Sequence, residues 1–309
     1  MKLKKRAWIY IILFLVCSLC VSLFWKLFLK ETKILENFGE NPIPRKVWTF
    51  WDTPNPPAVV NECIQTWKKQ NPNYEIVVLN KENVSEYLPE VDFSKIKHIH
   101  DKSPEKFSDM VRLHTLAKYG GIWSDASIIC LKPYDSWIHP LQEKKNSEFV
   151  GFYIDSFTLP EYKVKSPVVE NWFFACVPNS AFVKDWLNEF LRISDFNTIE
   201  EYVENVRAQG VNLQNISSTS YLSMHVACQK VLQKPDSNYR IELVKAEDTA
   251  FKYLTKNEWK TDQAVNNLLE CKEPEKKRED CDFLDSPIIK MRGLERRELE
   301  TKNYSFLFM

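Results

Sequence analysis

Glycine is scarce in this chain, with six residues in 309. Any cluster of glycines therefore marks a backbone conformation that other residues reach only at a cost. An excess of basic charge is also missing. Lys and Arg together number 42, as do Asp and Glu, which removes the electrostatic case for a nucleic-acid partner. No internal repeat is present, and the only low-complexity stretch is the charged segment KEPEKKRED at 272–280. What the chain does have is apolar and aromatic content, 44% and 13%, enough for one large core or two modest ones.

Charge is unevenly placed. The first thirty residues hold six positive charges, Lys2, Lys4, Lys5, Arg6, Lys26 and Lys30, and no acids. Between Arg6 and Lys26 runs AWIYIILFLVCSLCVSLFW, free of charge, proline and glycine. As a helix it reaches roughly 28 Å, the hydrocarbon thickness of a bilayer. Four positive charges precede the run, so the positive-inside rule keeps the N-terminus cytosolic and sends the chain beyond the run across the membrane. The expected organisation is a cytosolic tail at 1–6, a transmembrane signal anchor at 7–29, a polar stem at 30–42 and one large domain at 43–309. The lipid bilayer is thus an expected partner. A cleaved signal peptide is the alternative, disfavoured because the run is long for an h-region and no A-x-A-like site comes after it.

Cys17 and Cys20 lie in the apolar run, leaving an even six that suits an oxidising lumen. Cys271 and Cys281 bracket the charged segment, which has no core of its own, and are the expected disulfide. Cys63, Cys130, Cys176 and Cys228 sit in apolar contexts that read as buried thiols. Three glycosylation triplets, at Asn83, Asn215 and Asn303, fit a lumenal domain without demanding one.

The domain begins with KVWTFW (46–51), β-branched and aromatic between prolines, which reads as a first strand. A helix comes next, with Val59 or Val60, Cys63, Ile64 and Trp67 at helical spacing. YEIVVLN then reads as a second strand, buried on both faces to judge from its unbroken apolar run. Strand, helix and strand in about 35 residues make a βαβ unit and a parallel sheet. Ser103 and Pro104 open the next helix, which runs to Tyr119. At 100° per residue it is apolar on two sides, so it is buried, and it carries Asp109 and Arg112 inward together. Further strands are expected in SEFVGFYID and VVENWFFACVP, and further helices in SAFVKDWLNEFLRI and TSYLSMHVACQKVL.

KYGGIWSDASIIC (118–130) concentrates the chemistry. Gly120 and Gly121 end the helix through positive φ, and IWSDASIIC reads as one strand with Asp125 within it or at its end. In open α/β sheets ligands gather outside the carboxyl ends of the strands. An acid there, after glycines that permit close approach, is placed to hold a cation against a phosphorylated ligand.

The block FSDMVRLHTLAKYGGIWSDASI resembles the capsular polysaccharide synthesis proteins and, more distantly, the DXD-bearing sugar transferases related to initiating mannosyltransferases. These share the pattern SDxxRxxxLxxxGGI(W/Y)xD. The resemblance extends through IPRKVWTFWDTPNPPAVVNECIQTWKKQNPNYEI, VVENWFFACVPNSAFVKDWLNEF, YLSMHVACQKVL and PIIKMRGLERREL, covering most of residues 43–300. It implies a GT-A-like fold, a Rossmann-like mixed sheet flanked by helices, which moves a sugar from a nucleotide-sugar donor to a glycan or glycolipid acceptor. It further implies retention of anomeric configuration and help from Mn²⁺ or Mg²⁺. Asp125 and Asp109 are the implied catalytic acids. Trp51, Arg112, Gly120, Gly121, Lys290 and Arg292, with Asp109, are the implied donor side, and Asn171 and Trp172 the acceptor side. Asp125, Ser127 and His225 are the implied metal ligands. The pattern departs from the distant relatives at Ser127, where they carry a second acid, and this keeps metal dependence open.

Other readings of the same residues stand beside these. Asp109 with Arg112 is equally an intrahelical ion pair. His225 and Trp51 are equally core side chains, and the charges of KMRGLERRELE equally a solvated surface. At the level of the whole chain, the alternatives are a catalytically silent glycan-binding or scaffolding relative and a metal-dependent hydrolase of phosphorylated substrates. The hydrolase is disfavoured, because one acid stands in the key strand and no His/Asp pair occurs at two-metal spacing.

Overall fold

The computed structural model describes residues 42–98, 103–271 and 278–304. The cytosolic tail, the membrane span and all but the last residue of the stem lie outside them. Among the described residues no helix is long and apolar enough to cross a membrane.

The described elements in chain order are β1 Lys46–Phe50, α1 Ala58–Gln70, β2 Glu75–Leu79, α2 Val84–Tyr87, α3 Pro104–Tyr119, β3 Gly121–Ser124, β4 Ile128–Cys130, α4 Ile138–Lys145, β5 Phe149–Tyr153, β6 Val169–Cys176, α5 Ala181–Leu191, α6 Ile199–Ala208, α7 Ser223–Leu232, β7 Ile241–Lys245, α8 Lys252–Lys256, α9 Thr261–Glu270, β8 Ile288–Lys290 and α10 Gly293–Glu300. Six strands form one sheet in the order β2-β1-β3-β6-β5-β7, and β4 pairs with β8 in a small second sheet. In the large sheet β6 runs antiparallel to both its neighbours, β3 and β5, while the β1–β2, β1–β3 and β5–β7 pairs are parallel. The sheet is therefore mixed, with one reversed strand near its middle.

Period-two alternation divides the core between the faces of this sheet. Trp48, Trp123, Phe149 and Phe174 point to one side, where they pack with buried residues of α3, α5 and α7. Their chain neighbours Val47, Ile122, Val150 and Phe173 point to the other, against α1, α8 and the β4–β8 pair. The result is an α/β fold with helices on both faces, as the sequence leads one to expect.

α3 forms where its signals place it. The Ser103 side chain accepts from the Lys106 N–H, Pro104 occupies the first turn, and Gly120 caps the end. Both expected faces are buried, from Phe107 and Met110 on one to Asp109 and Leu116 on the other. His114, half-buried on this helix, lies edge-on to Phe93, and its Nε2 has no partner. Burial pushes its imidazole down to about 4, against a smaller upward pull from Glu90. Folding thus holds His114 neutral, and the stability this adds is fully present above its ordinary value of 6.5. It is lost as pH falls from there to about 4, because the unfolded chain takes up the proton first. Urea unfolding is expected to show about 3 kcal/mol less dependence over that window in His114→Leu. An unchanged slope between the two proteins would contradict this.

Three expectations are corrected. β2 is not buried on both faces: it is an edge strand, with Glu75 exposed and Ile76 and Val78 half-buried. Its apolar run reflects β-propensity and one covered face. IWSDASIIC is not one strand but two, β3 and β4, which enter different sheets across a turn at Asp125–Ser127. Gly120 and Gly121, expected on the donor side, do not line the cavity described below. β3 rises roughly 3.3 Å per residue, so they sit at the far end of that strand from Asp125. Their missing Cβ atoms make room for the protein's own backbone instead. A Cβ on Gly120 falls 2.5 Å from the Pro178 nitrogen, and one on Gly121 falls 2.6 Å from the Lys46 carbonyl oxygen.

The Cys271–Cys281 disulfide is present, with Cα atoms 5.5 Å apart, and Cys63, Cys130, Cys176 and Cys228 are buried free thiols.

Candidate active site

A cavity of about 1070 Å³ opens at one end of the large sheet. It is lined by the residues just after β1 and β3, by Ile154 after β5, and by the first residues of the reversed strand β6. This is the end where the parallel strands finish, the expected ligand edge of an α/β sheet.

Asp125 stands at the mouth of the turn after β3. Its N–H donates to the Trp172 carbonyl at 2.8 Å, so the backbone is still tied to β6. Its Oδ1 accepts from Arg112 Nη2 at 2.8 Å and from Trp123 Nε1 at 3.1 Å, and its Oδ2 accepts from Lys290 Nζ at 2.7 Å. Arg112, with a side chain 5% exposed, turns its other nitrogen to Asp109 Oδ1 at 2.9 Å. Asn171 donates to the same Asp109 oxygen at 3.1 Å. The Arg112 guanidinium lies 4.9 Å from the centre of the Trp123 ring. The intrahelical pair is present and both of its residues line the cavity: one fork joins two carboxylates across α3 and the turn after β3.

These two carboxylates are driven apart electrostatically. Burial alone would raise Asp125, but the Lys290 ammonium and the Arg112 guanidinium outweigh it and hold Asp125 below the ordinary carboxylate range. At Asp109 burial wins over its share of Arg112, and the carboxyl is pushed up.

Lys290 arrives from 165 residues away because β8 pairs with β4, placing Ile128 opposite Lys290. Its ammonium is also 3.3 Å from Ser127 Oγ, while that hydroxyl donates to the Met291 carbonyl at 2.8 Å. His225, on α7, has Nε2 3.4 Å from Glu170 Oε2, and its buried Nδ1 has no partner. Among the described residues no three of His, Cys, Asp and Glu gather as a metal's ligands. The set Asp125, Ser127 and His225 does not fit a divalent cation as arranged. Both oxygens of Asp125 are on cations, Ser127 is turned to a carbonyl, and the nitrogen of His225 faces a different carboxylate.

The remaining expected residues also reach the cavity. Trp172 lines it, stacked on Phe152 with ring centres 4.9 Å apart, and its indole N–H is buried without a partner. Trp51 lines it beneath the Arg296 guanidinium, 5.2 Å from the ring centre. Arg292 lines it too, but its fork is held by Glu295, at 2.9 and 2.6 Å. Sequence reading missed Glu170, Lys106 and Arg297. Lys106 reaches the cavity from the first turn of α3, donating to Ser223 Oγ at 2.6 Å and to the Ser220 carbonyl at 3.1 Å. The helical spacing that brought Asp109 and Arg112 inward marks Lys106 as well. Glu170 and Arg297 carry no local signal.

The family model described as capsular polysaccharide synthesis protein matches residues 27–263. The chain belongs to that family. Among curated proteins, the O-glycosyltransferase braB of Annulohypoxylon truncatum is 27% identical over 165 residues, 49% of this chain and 38% of that protein. The initiation-specific alpha-1,6-mannosyltransferase of Candida albicans is 30% identical over 117 residues, 34% of this chain and 30% of that one. The chain thus spans 38% of the length of the first relative and 30% of the second. Among solved structures, an active-site mutant of LgtC matches at a TM-score of 0.41 and 11% identity, covering 83% of this chain and 95% of that one. The UDP-bound glycosyltransferase domain of the YGT toxin matches at 0.42 and 12%, covering 84% and 97%. In this family member, the block that carries the resemblance is the part of the chain that builds the Asp109–Arg112–Asp125 cluster.

Proposed function

We propose that this family member is a GT-A-type glycosyltransferase that moves a sugar from a nucleotide-sugar donor to a hydroxyl of a glycan or glycolipid acceptor. The observation that carries this reading is the pair of carboxylates fixed on one arginine inside the cavity. A carboxylate offers about four acceptor positions. Asp125 has three in use, and among the described residues Asp109 accepts only at Oδ1. The pair therefore presents open, acceptor-only positions, which select a ligand rich in hydroxyl groups. Because Arg112 and Lys290 hold these oxygens in place, they are organised before the sugar arrives, and little ordering remains to oppose binding.

In the reaction the bond from the anomeric carbon to the diphosphate breaks, the acceptor oxygen bonds to that carbon, and its proton leaves for a base. The largest electrostatic need is to hold the charge that develops on the diphosphate. A bound Mn²⁺ or Mg²⁺ would meet that need as a Lewis acid, but its expected ligands do not fit one as arranged. The basic stretch from Lys290 to Arg297, at the cavity wall beside Asp125, supplies positive charge from the protein. Trp51 offers an aromatic face for the base. Retention belongs to this reading through the family resemblance, and NMR of the product's anomeric proton checks it.

The reading includes a single-pass membrane anchor at 7–29, with residues 43–309 on the lumenal side of the Golgi or endoplasmic reticulum, or outside a bacterial inner membrane. The asymmetric N-terminal charge and the Cys271–Cys281 bridge support an oxidising compartment.

The test takes the full chain in detergent through a panel of nucleotide sugars, reading thermal shift and slow donor hydrolysis. The expected result is stabilisation by one donor class together with turnover. Stabilisation without turnover identifies the silent glycan-binding relative, and phosphate release from simple esters identifies the hydrolase.

A further inference from the structure

We infer that the departing nucleoside diphosphate is held by Lys290 and Arg297 of the protein itself, and that the site works without a divalent cation. This rests on the transferase reading above and says which groups meet its main electrostatic need.

The first observation is where the Lys290 ammonium sits. It is 2.7 Å from Asp125 Oδ2 and 3.3 Å from Ser127 Oγ. It thus occupies the point that oxygen ligands at positions 125 and 127 would define for a metal. An ammonium has three N–H donors. Two are directed to these oxygens, and the third is left for a phosphate oxygen. The Lys290 side chain is 9% exposed, so its charge is screened less than that of a surface lysine.

The second observation is independent of the first. Arg297 lines the cavity, is exposed, and makes no ion pair among the described residues. Its neighbours are committed: Arg292 to Glu295, and Arg296 to Glu300 at 2.9 Å. The Arg297 guanidinium lies over Gly293, 3.2 Å from where a Cβ there would stand. A planar fork thus lies beside the first turn of α10, at the cavity edge, with no carboxylate of the described residues on it. Arginine forks of this kind take phosphate through two parallel hydrogen bonds.

The third observation is how charge is arranged. The acids of the cavity come from α3, from β6 and from the turns after β1 and β3, with Lys106 and Arg112 among them on α3, whereas Lys290, Arg292, Arg296 and Arg297 all come from one segment. The cations of that wall meet the acids at the Lys290–Asp125 pair. Ser127 has the same explanation. A second carboxylate at that position would neutralise the Lys290 ammonium further and oppose the phosphate charge, whereas a hydroxyl adds no negative charge.

Calorimetric titration of the full chain in detergent with UDP and with GDP, in EDTA and again with Mn²⁺, tests this. Binding of the preferred nucleotide and donor turnover are expected to agree within about twofold between the two conditions. Lys290→Met and Arg297→Gln are each expected to weaken nucleotide binding about tenfold or more, the usual worth of a charge-assisted hydrogen bond. Arg297 is exposed, so its variant is expected to unfold at the native temperature even if Lys290→Met folds poorly. Affinity or turnover that rises tenfold or more with Mn²⁺, or an Arg297→Gln protein that binds like the native one, overturns the inference and leaves the transferase reading intact. If neither nucleotide binds in either condition, the transferase reading fails and this inference fails with it.

Discussion

Sugar transfer is expected to fall at least a hundredfold in Asp125→Asn, on the scale of removing one preorganised electrostatic group from an active site. The substitution keeps the side chain's shape and removes its charge. An amide has a single acceptor oxygen, so it cannot serve Arg112 and Trp123 on one side and Lys290 on the other. Arg112 keeps Asp109, but Lys290, almost buried, is left without its counter-charge. Stranding a buried charge costs about 3 kcal/mol or more, so the variant is also expected to unfold at lower denaturant.

The pH dependence carries a second signature of the same residue. Asp125 titrates below its ordinary 3.8 in the folded protein, so the unfolded chain protonates first as pH falls. The stability it contributes is fully present at neutral pH and lost as pH falls through its folded value. Asp109 acts in the opposite sense: its carboxyl is pushed up, so protonation there relieves the folded state. The Asp125→Asn protein is expected to be less stable at pH 7 and to lose less on acidification. Denaturation curves at neutral and acidic pH, with donor turnover, check both parts. A variant that transfers sugar at the native rate would remove Asp125 from the site.

Gly120→Ala is expected to cost about 2–6 kcal/mol, the sum of a backbone strained by about 1–3 and an overpacked contact of similar size. That is a large part of the 5–15 kcal/mol that usually holds a domain together. Gly120 has φ 61° and ψ −159°, which side chains rarely adopt. An added Cβ would also fall 2.5 Å from the Pro178 nitrogen and 2.8 Å from the Cys176 carbonyl oxygen. Both are backbone atoms, so no rotamer change relieves the clash. Gly210 provides the control. Its φ is also positive, at 83°, but nothing lies within 4 Å of its added Cβ, and Gly210→Ala is expected to cost only about 1 kcal/mol. Equal midpoints in urea for the two variants would refute the packing argument.

Much of the fold near α3 is legible in the order of residues alone. Ser103, Pro104 and the two-sided apolar pattern act within one or two turns, so local rules suffice for them. The glycine pair is legible as a backbone signal, but its purpose is not. Positive φ is a local property, whereas which chain lies against the missing Cβ is not. The edge position of β2 is hidden for the same reason: EIVVL reads alike with one neighbour or two. Glu170 and Arg297 matter only through the cavity, and no spacing along the chain announces a cavity.

By itself, then, the sequence determined that α3 carries Asp109 and Arg112 inward on one face and that Asp125 lies within or at the end of the strand behind it. Those relations span 3 and 13 residues, distances that a helix, a glycine turn and one short strand bridge by their own geometry. Only the tertiary structure decided that Lys290 meets Asp125 and that the reversed strand β6 brings Asn171 to Asp109. These pairs are 165 and 62 residues apart. The approach of such distant residues is set by strand pairing and by burial of the faces between them, which no local pattern encodes.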